Sequence, residues 1–101
     1  MNLEIQIQEL TDIFGELKIK NTLRRLAEIE SRRCSEKIRR VRNELLLFEE
    51  RFQMTSEEAW NQYNSGKLGD NMDIMEWMGL YENLMDFQDC HDRIKNADIL
   101  C

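Results

Sequence analysis

From Glu16 to Ser65 the chain contains neither proline nor glycine. Nothing in that stretch removes a backbone donor or adds backbone entropy, and from Asn21 to Phe52 the helical signal is strong. Its apolar residues say which face is buried. Leu23, Leu26, Ile38, Val41, Leu45, Phe48 and Phe52 fall on one stripe, with Cys34 filling a gap. From Cys34 onward the steps are 4, 3, 4, 3 and 4, a heptad seam. Before it, Leu26, Glu30, Cys34 and Ile38 step by four, a slip that relaxes the supercoil. Ile38, Val41, Leu45, Phe48 and Phe52 are therefore the expected oligomerisation residues of a coiled-coil-like homodimer. The consecutive Leu45, Leu46, Leu47 and Phe48 are too apolar for one narrow seam. This end is expected to touch two neighbours, a second copy and the chain's own C-terminal helix. Arg24/Glu28, Arg32/Glu36 and Arg40/Glu44 sit four apart on the solvated side, each pair contributing about 0.2–0.5 kcal/mol.

The chain after Phe52 carries its own start and stop signals. Thr55-Ser56-Glu57-Glu58 reads as a capping box, in which Thr55 accepts from an amide near Glu58 and Glu58 reaches back. Met54 and Ala59 occupy the staple positions around it. Ala59, Trp60 and Tyr63 give a short helix its apolar face, and Gly66 ends it by supplying a left-handed residue. Asp70 is the expected cap of the next helix, with Asp73 in its first turn. That helix runs from about Asn71 to Lys95. Ile74, Trp77, Met78, Tyr81, Leu84 and Met85 form its buried face, while Phe87, His91 and Ile94 continue a weaker stripe. Gly79 lies inside it, where glycine costs about 1 kcal/mol relative to alanine, and is read as admitting a neighbouring helix. Asn96 to Cys101 is read as a frayed tail.

The N-terminus is ambiguous. Leu3, Ile5 and Ile7 alternate with polar residues, which is strand periodicity, and Leu17 and Ile19 repeat it after Gly15. Against this, Leu10, Ile13, Phe14 and Leu17 share one helix face. Helix is favoured from about Thr11, whose hydroxyl would cap it, with residues 1–10 as a helical or extended arm. The organisation is a single domain: residues 1–53 as a long charged helix with that arm, and residues 54–101 as short helix, glycine loop and acidic return helix.

Size and charge narrow the function. A chain of 101 residues that spends many of them on one long helix buries little core alone, so a copy or a partner is expected. The net charge is −6, unevenly spread: Arg24 to Arg42 carries eight basic and three acidic residues, Asp70 to Asp92 seven acidic and no basic ones. The simplest account is an acidic helix folded back along a basic one. The three cysteines, Cys34, Cys90 and Cys101, show no CxxC spacing, which points to free thiols in a reducing cytosol. Met1 to Leu10 lacks the pattern of a signal peptide, and no run reaches membrane-spanning length. The expectation is a cytoplasmic protein with no membrane partner.

No motif calls for a cofactor. Cys34, Cys90, His91 and Cys101 include the usual zinc ligand types, but adjacent Cys90 and His91 cannot both point at one ion from a regular helix. Gly69-Asp70-Asn71-Met72-Asp73 lacks most ligand positions of a calcium loop, so capping explains it better. His91 has no evident serine partner or cysteine nucleophile, and the carboxylates lie on a polar helix face. The chain is therefore read as not an enzyme, with no metal site. Arg32, Arg33, Arg39 and Arg40 are the nucleic-acid candidates within the basic run, which has no interleaved aromatic residue. DNA or RNA binding is a secondary reading, disfavoured by the overall charge. The richest feature is the set of tryptophans, tyrosines and methionines after Met54. A three-helix hairpin cannot readily bury them all, and these residue types recur at interface cores. The expected partner-binding residues are Trp60, Tyr63, Asp70, Asp73, Glu76, Trp77 and Tyr81.

Phe48 to Phe52 followed by MTSEEAW, then SGKLGD, then DIMEWMGLYENL resembles small prokaryotic helical proteins encoded beside toxins of the TumE type, a family read as antitoxins. The resemblance covers Leu45 to Leu84; the N-terminal half matches only as a generic charged coil. It implies an all-α antitoxin that neutralises a small basic toxin by direct contact, and it supplies no catalytic residue. The expected fold is thus all-α: a long N-terminal helix, a short capped helix and an antiparallel return helix, paired as a homodimer. The alternatives are a nucleic-acid-binding autoregulator acting through residues 24–42 and a free-standing coiled-coil scaffold.

Overall fold

The computed structural model describes residues 2–97; Met1 and residues 98–101, including Cys101 and most of the tail read as frayed, lie outside the described range. The fold is all-α. Four helices follow one another, α1 (Leu3–Phe14), α2 (Glu16–Phe52), α3 (Ser56–Asn64) and α4 (Met72–Lys95), and no strand occurs among the described residues.

The arm left open between helical and extended is helical, and the start expected at Thr11 moves to Leu3: α1 is capped by Asn2 Oδ1, which accepts from the Glu4 amide at 2.9 Å. The apolar positions Leu3, Ile7, Leu10 and Phe14 step by 4, 3 and 4 and make one helical stripe. Thr11 is no cap. It lies inside α1 and donates its hydroxyl to the Ile7 carbonyl at 2.8 Å. The helix breaks at Gly15 alone, whose φ of 90° is open to glycine and strained for other residues. Its N–H still donates to Thr11 O and its carbonyl still accepts from Ile19, so one residue redirects the chain.

α2 is 37 residues long, about 55 Å of helix, and ends where Gln53 takes a left-handed conformation. α3 begins as its sequence predicts, with Thr55 Oγ1 accepting from the Glu58 amide at 3.1 Å. The reciprocal half of the box differs: the carboxylate that reaches back is Glu49 from α2, which accepts from the Ser56 amide at 2.8 Å. Gly66 closes α3 with a Schellman pair, Lys67 N–H to Gln62 O and Gly66 N–H to Tyr63 O. The cap of α4 is Asn71, not Asp70; its Oδ1 accepts from the Ile74 amide at 2.9 Å.

α4 folds back antiparallel along α2. Asp73 at its start meets Arg51 near the α2 C-terminus, and Cys90 and His91 near its end meet Cys34 and Ser35. The core between them is Val41, Leu45, Ile74, Trp77, Met78 and Leu84, closed from the α3 side by Ala59. Trp77 is the largest side chain buried completely. Its ring stacks on Phe48 and Phe52, with centroids at 5.9 and 5.2 Å. Its Nε1–H donates to Ser56 Oγ at 2.9 Å, so Glu49, Ser56 and Trp77 tie α2, α3 and α4 through one chain of hydrogen bonds. Ser56→Ala leaves that indole N–H buried without an acceptor. The expected cost is about 1–3 kcal/mol in urea unfolding, with little change in helix content at zero denaturant.

Two packing expectations are corrected. The seam of Ile38, Val41, Leu45, Phe48 and Phe52 is occupied in cis by α4, with Val41 and Leu45 buried and the other three packed against the same core. Gly79 admits no neighbour: it is exposed, and a Cβ built on it meets nothing within 4 Å. Gly79→Ala is therefore expected to stabilise the fold by about 1 kcal/mol, read as a higher urea midpoint with unchanged slope.

Because α4 has 24 residues against 37 in α2, it leaves the first turns of α2 uncovered: Asp73 meets Arg51, Cys90 meets Cys34, and α4 ends five residues later at Lys95. No residue of α1 is buried. The result is an elongated molecule of 57 × 26 × 19 Å, with a radius of gyration of 19.5 Å where a compact domain of this length has about 13 Å.

Candidate partner-binding surfaces

Among the described residues no ladder of ion pairs joins the acidic stretch to the basic one. Arg51 and Asp73 join α2 to α4 at 2.8 Å, whereas Lys20–Glu16, Arg33–Glu30, Arg39–Glu36 and Arg93–Asp89 lie within single helices. Surface pairs of this kind contribute at most about 1 kcal/mol each. The return helix is held by its apolar face. Both charged faces remain turned to solvent, the carboxylates of α4 on one side of the hairpin and the arginines of α2 along the other helix.

Of the predicted contact residues, Trp77 is withdrawn. A completely buried indole, stacked on two phenylalanines, has no surface to offer a partner. Trp60 and Tyr81 pack on each other with centroids 5.6 Å apart, and both, with Tyr63, are half-buried against the core. Their rings serve mainly to hold α3 on α4. Asp70 and Glu76 are exposed, and Asp73 is half-buried in its pair with Arg51. The residues brought to one outer surface instead are Met72, 86% exposed, and Met75, 56% exposed, followed along the same face of α4 by Gly79, Glu82 and Asp86. Sequence reasoning counted the methionines without singling these two out. The signal was their register, offset from the Ile74, Trp77 and Met78 positions that define the core.

Two grooves flank the α2–α4 contact. One, of about 500 Å³, is lined among others by Arg42, Leu46, Glu49, Ser56 and Tyr81. The other, of about 390 Å³, is lined by Glu44, Leu47, Phe48, Arg51, Glu76 and Leu80. Leu46 and Leu47 are 52% and 69% exposed, so the surplus of apolar residues at the end of the seam does reach solvent.

The nucleic-acid candidates Arg32, Arg33, Arg39 and Arg40 are all exposed. Glu30 pairs with Arg33 and Glu36 with Arg39, so glutamates of the same helix compensate half of the set. The hydrogen bond from Arg39 holds the Glu36 carboxyl below its usual range.

At the far end of the hairpin, the thiols of Cys34 and Cys90 are 3.7 Å apart, Cys34 buried and Cys90 exposed. Burial first, then the contact with Cys90, pushes the Cys34 thiol up, so it stays protonated. His91 gains a partner that sequence reading did not give it: its Nε2 lies 3.2 Å from Ser35 Oγ. That contact is exposed to water, which neither desolvates a nucleophile nor orients a substrate. No helix among the described residues is long and apolar enough to cross a membrane.

No family model, curated protein or solved structure matches the chain.

Proposed function

We propose that this chain is a non-enzymatic protein-binding module of the antitoxin kind, which takes a small basic protein on the outer face of α4 in the cytoplasm. The observation that carries the reading is the composition of that face. Two exposed methionines sit at its start, Gly79 leaves it flat, and the carboxylates Glu76, Glu82 and Asp86 surround or follow them. Methionine is adaptable and recurs at interface cores, while a one-signed acidic rim steers a basic partner and fixes its register. The predicted aromatic anchors Trp60 and Tyr63 give way here to Met72 and Met75; Asp70 and Glu76 keep their place as rim charges. The antitoxin assignment itself rests on the MTSEEAW, SGKLGD and DIMEWMGLYENL motifs.

The test is a tagged pull-down from the native cell, sized on a column and identified by mass spectrometry. A small basic protein at fixed stoichiometry is expected with the native chain. Met72→Ser/Met75→Ser, which removes the apolar contacts without adding charge, is expected to lower its recovery at least ~100-fold while leaving stability within about 0.5 kcal/mol, since both positions are exposed. Equal recovery with both chains would remove this face from the interface. The autoregulator reading is favoured by one observation, the exposure of Arg32 and Arg40 on α2. It predicts a duplex-DNA mobility shift at low salt that fades steeply as salt rises.

A further inference from the structure

We infer that the N-terminal arm, α1 with the first turns of α2, is an interface between two copies of this chain, paired antiparallel about a two-fold axis near Gly15. Between Leu3 and Ile29 ten apolar side chains are 37–73% exposed. Leu3, Ile7, Leu10 and Phe14 on one face of α1, with Leu23 and Leu26 on one face of α2, hold about half of that exposed apolar surface, on the order of 500 Å², which is at the upper end of the ~300–600 Å² of the largest patch of a typical monomer. The chain's own return helix leaves most of them uncovered, because α4 ends at Lys95, five residues past the Cys90–Cys34 contact. This interface is separate from the seam at Ile38 to Phe52, which α4 already fills, and it is independent of what the outer face of α4 binds.

The occupant is argued from charge. α1 carries Glu4, Glu9 and Asp12 and no basic residue; after Glu16, the start of α2 carries Lys18, Lys20, Arg24 and Arg25 before the next acid at Glu28. The sign changes at the Gly15 break, so an arm is complementary to a second arm running the other way. In the register where the two residue numbers add to about 30, Glu4 faces Arg25, Glu9 faces Lys20 and Asp12 faces Lys18. The same register sets Leu3 against Leu26, Ile7 against Leu23 and Leu10 against Ile19. A basic partner would be matched by α1 and repelled by the start of α2, and an acidic partner the reverse. A second copy satisfies both at once, and each contact occurs twice, as a closed two-fold interface requires.

The experiment is sedimentation equilibrium on the full chain, in reducing buffer, at several concentrations up to ~50 µM, the upper end of the range in which interfaces of this size close. The native chain is expected at twice its 12.2 kDa mass. Leu10→Asp and Leu23→Asp are each expected to weaken pairing about 100-fold, because a tenfold loss per site is felt twice across the axis. Both variants should keep native near-UV circular dichroism from Trp77, which lies outside the arm. Glu9→Lys and Lys20→Glu should each weaken the dimer, and the double variant should restore it, an outcome that misfolding does not mimic. A native monomer at the highest concentration overturns the inference. So does a dimer indifferent to both leucine substitutions, or charge reversals that fail to rescue each other.

Discussion

Trp77→Ala is expected to cost about 3–5 kcal/mol, the range for emptying a large aromatic site in a packed core. Domains of this size hold only about 5–15 kcal/mol in total, so the hairpin is left marginal or unfolded. The expectation follows from what converges on the ring. It has no exposed surface, it is sandwiched toward α2 by Phe48 and Phe52, and its N–H is the hydrogen bond that fixes Ser56 at the start of α3. Removing it opens a cavity at the one place where three helices meet and strands the Ser56 hydroxyl. Urea unfolding followed by far-UV circular dichroism gives the number. A loss under about 1 kcal/mol would mean that the α2–α4 contact is not organised on this side chain.

Leu45→Ala is expected to cost about 2–5 kcal/mol, and to cost the same at low and high protein concentration. Leu45 is 3% exposed and packs within the core that α4 completes. If the heptad seam instead held two copies together, dilution would change the penalty, because a stability shared between chains depends on their concentration. Parallel unfolding curves of native and variant chains across a hundredfold dilution therefore separate a cis seam from a trans seam.

What the sequence discloses and what it hides divide along a physical line. Local chemistry is legible: Thr55 caps α3, Gly66 ends it, and the stripe up to Phe52 lies on one helix, whose end at left-handed Gln53 no proline or glycine marks. These depend on residues within a turn of one another. The identity of a neighbour across a face is not legible, because a heptad seam specifies that something packs there and not whose helix it is. Ile38 to Phe52 reads equally well for a copy and for α4. Gly79 fails for the same reason: a glycine inside a helix is compatible with a close neighbour or with none, and here there is none. Asp70 against Asn71 was a contest between adjacent capping residues, and the one three positions before Ile74 won. At α1, the stripe of Leu3, Ile7, Leu10 and Phe14 was masked by Ile5, which turns a helical 4, 3, 4 pattern into an apparent alternation. The surface residues of the candidate site were the least legible. Exposure of Met72 and Met75 is fixed only once Ile74 and Trp77 have taken the inward positions.

That α2 outruns α4 by about a third of its length sets synthesis against stability. The ribosome delivers residues 3–33 first, and nothing within the described chain ever packs along most of them. Alone, the 12-residue α1 is marginal in water. The residues that make the core, from Val41 to Leu84, emerge after them and lie close together in sequence, so the hairpin can close as soon as Leu84 is free. Until then the nascent chain carries an exposed apolar thread, and if two arms pair as inferred above, the nearest complement on a polysome belongs to the chain being made next to it.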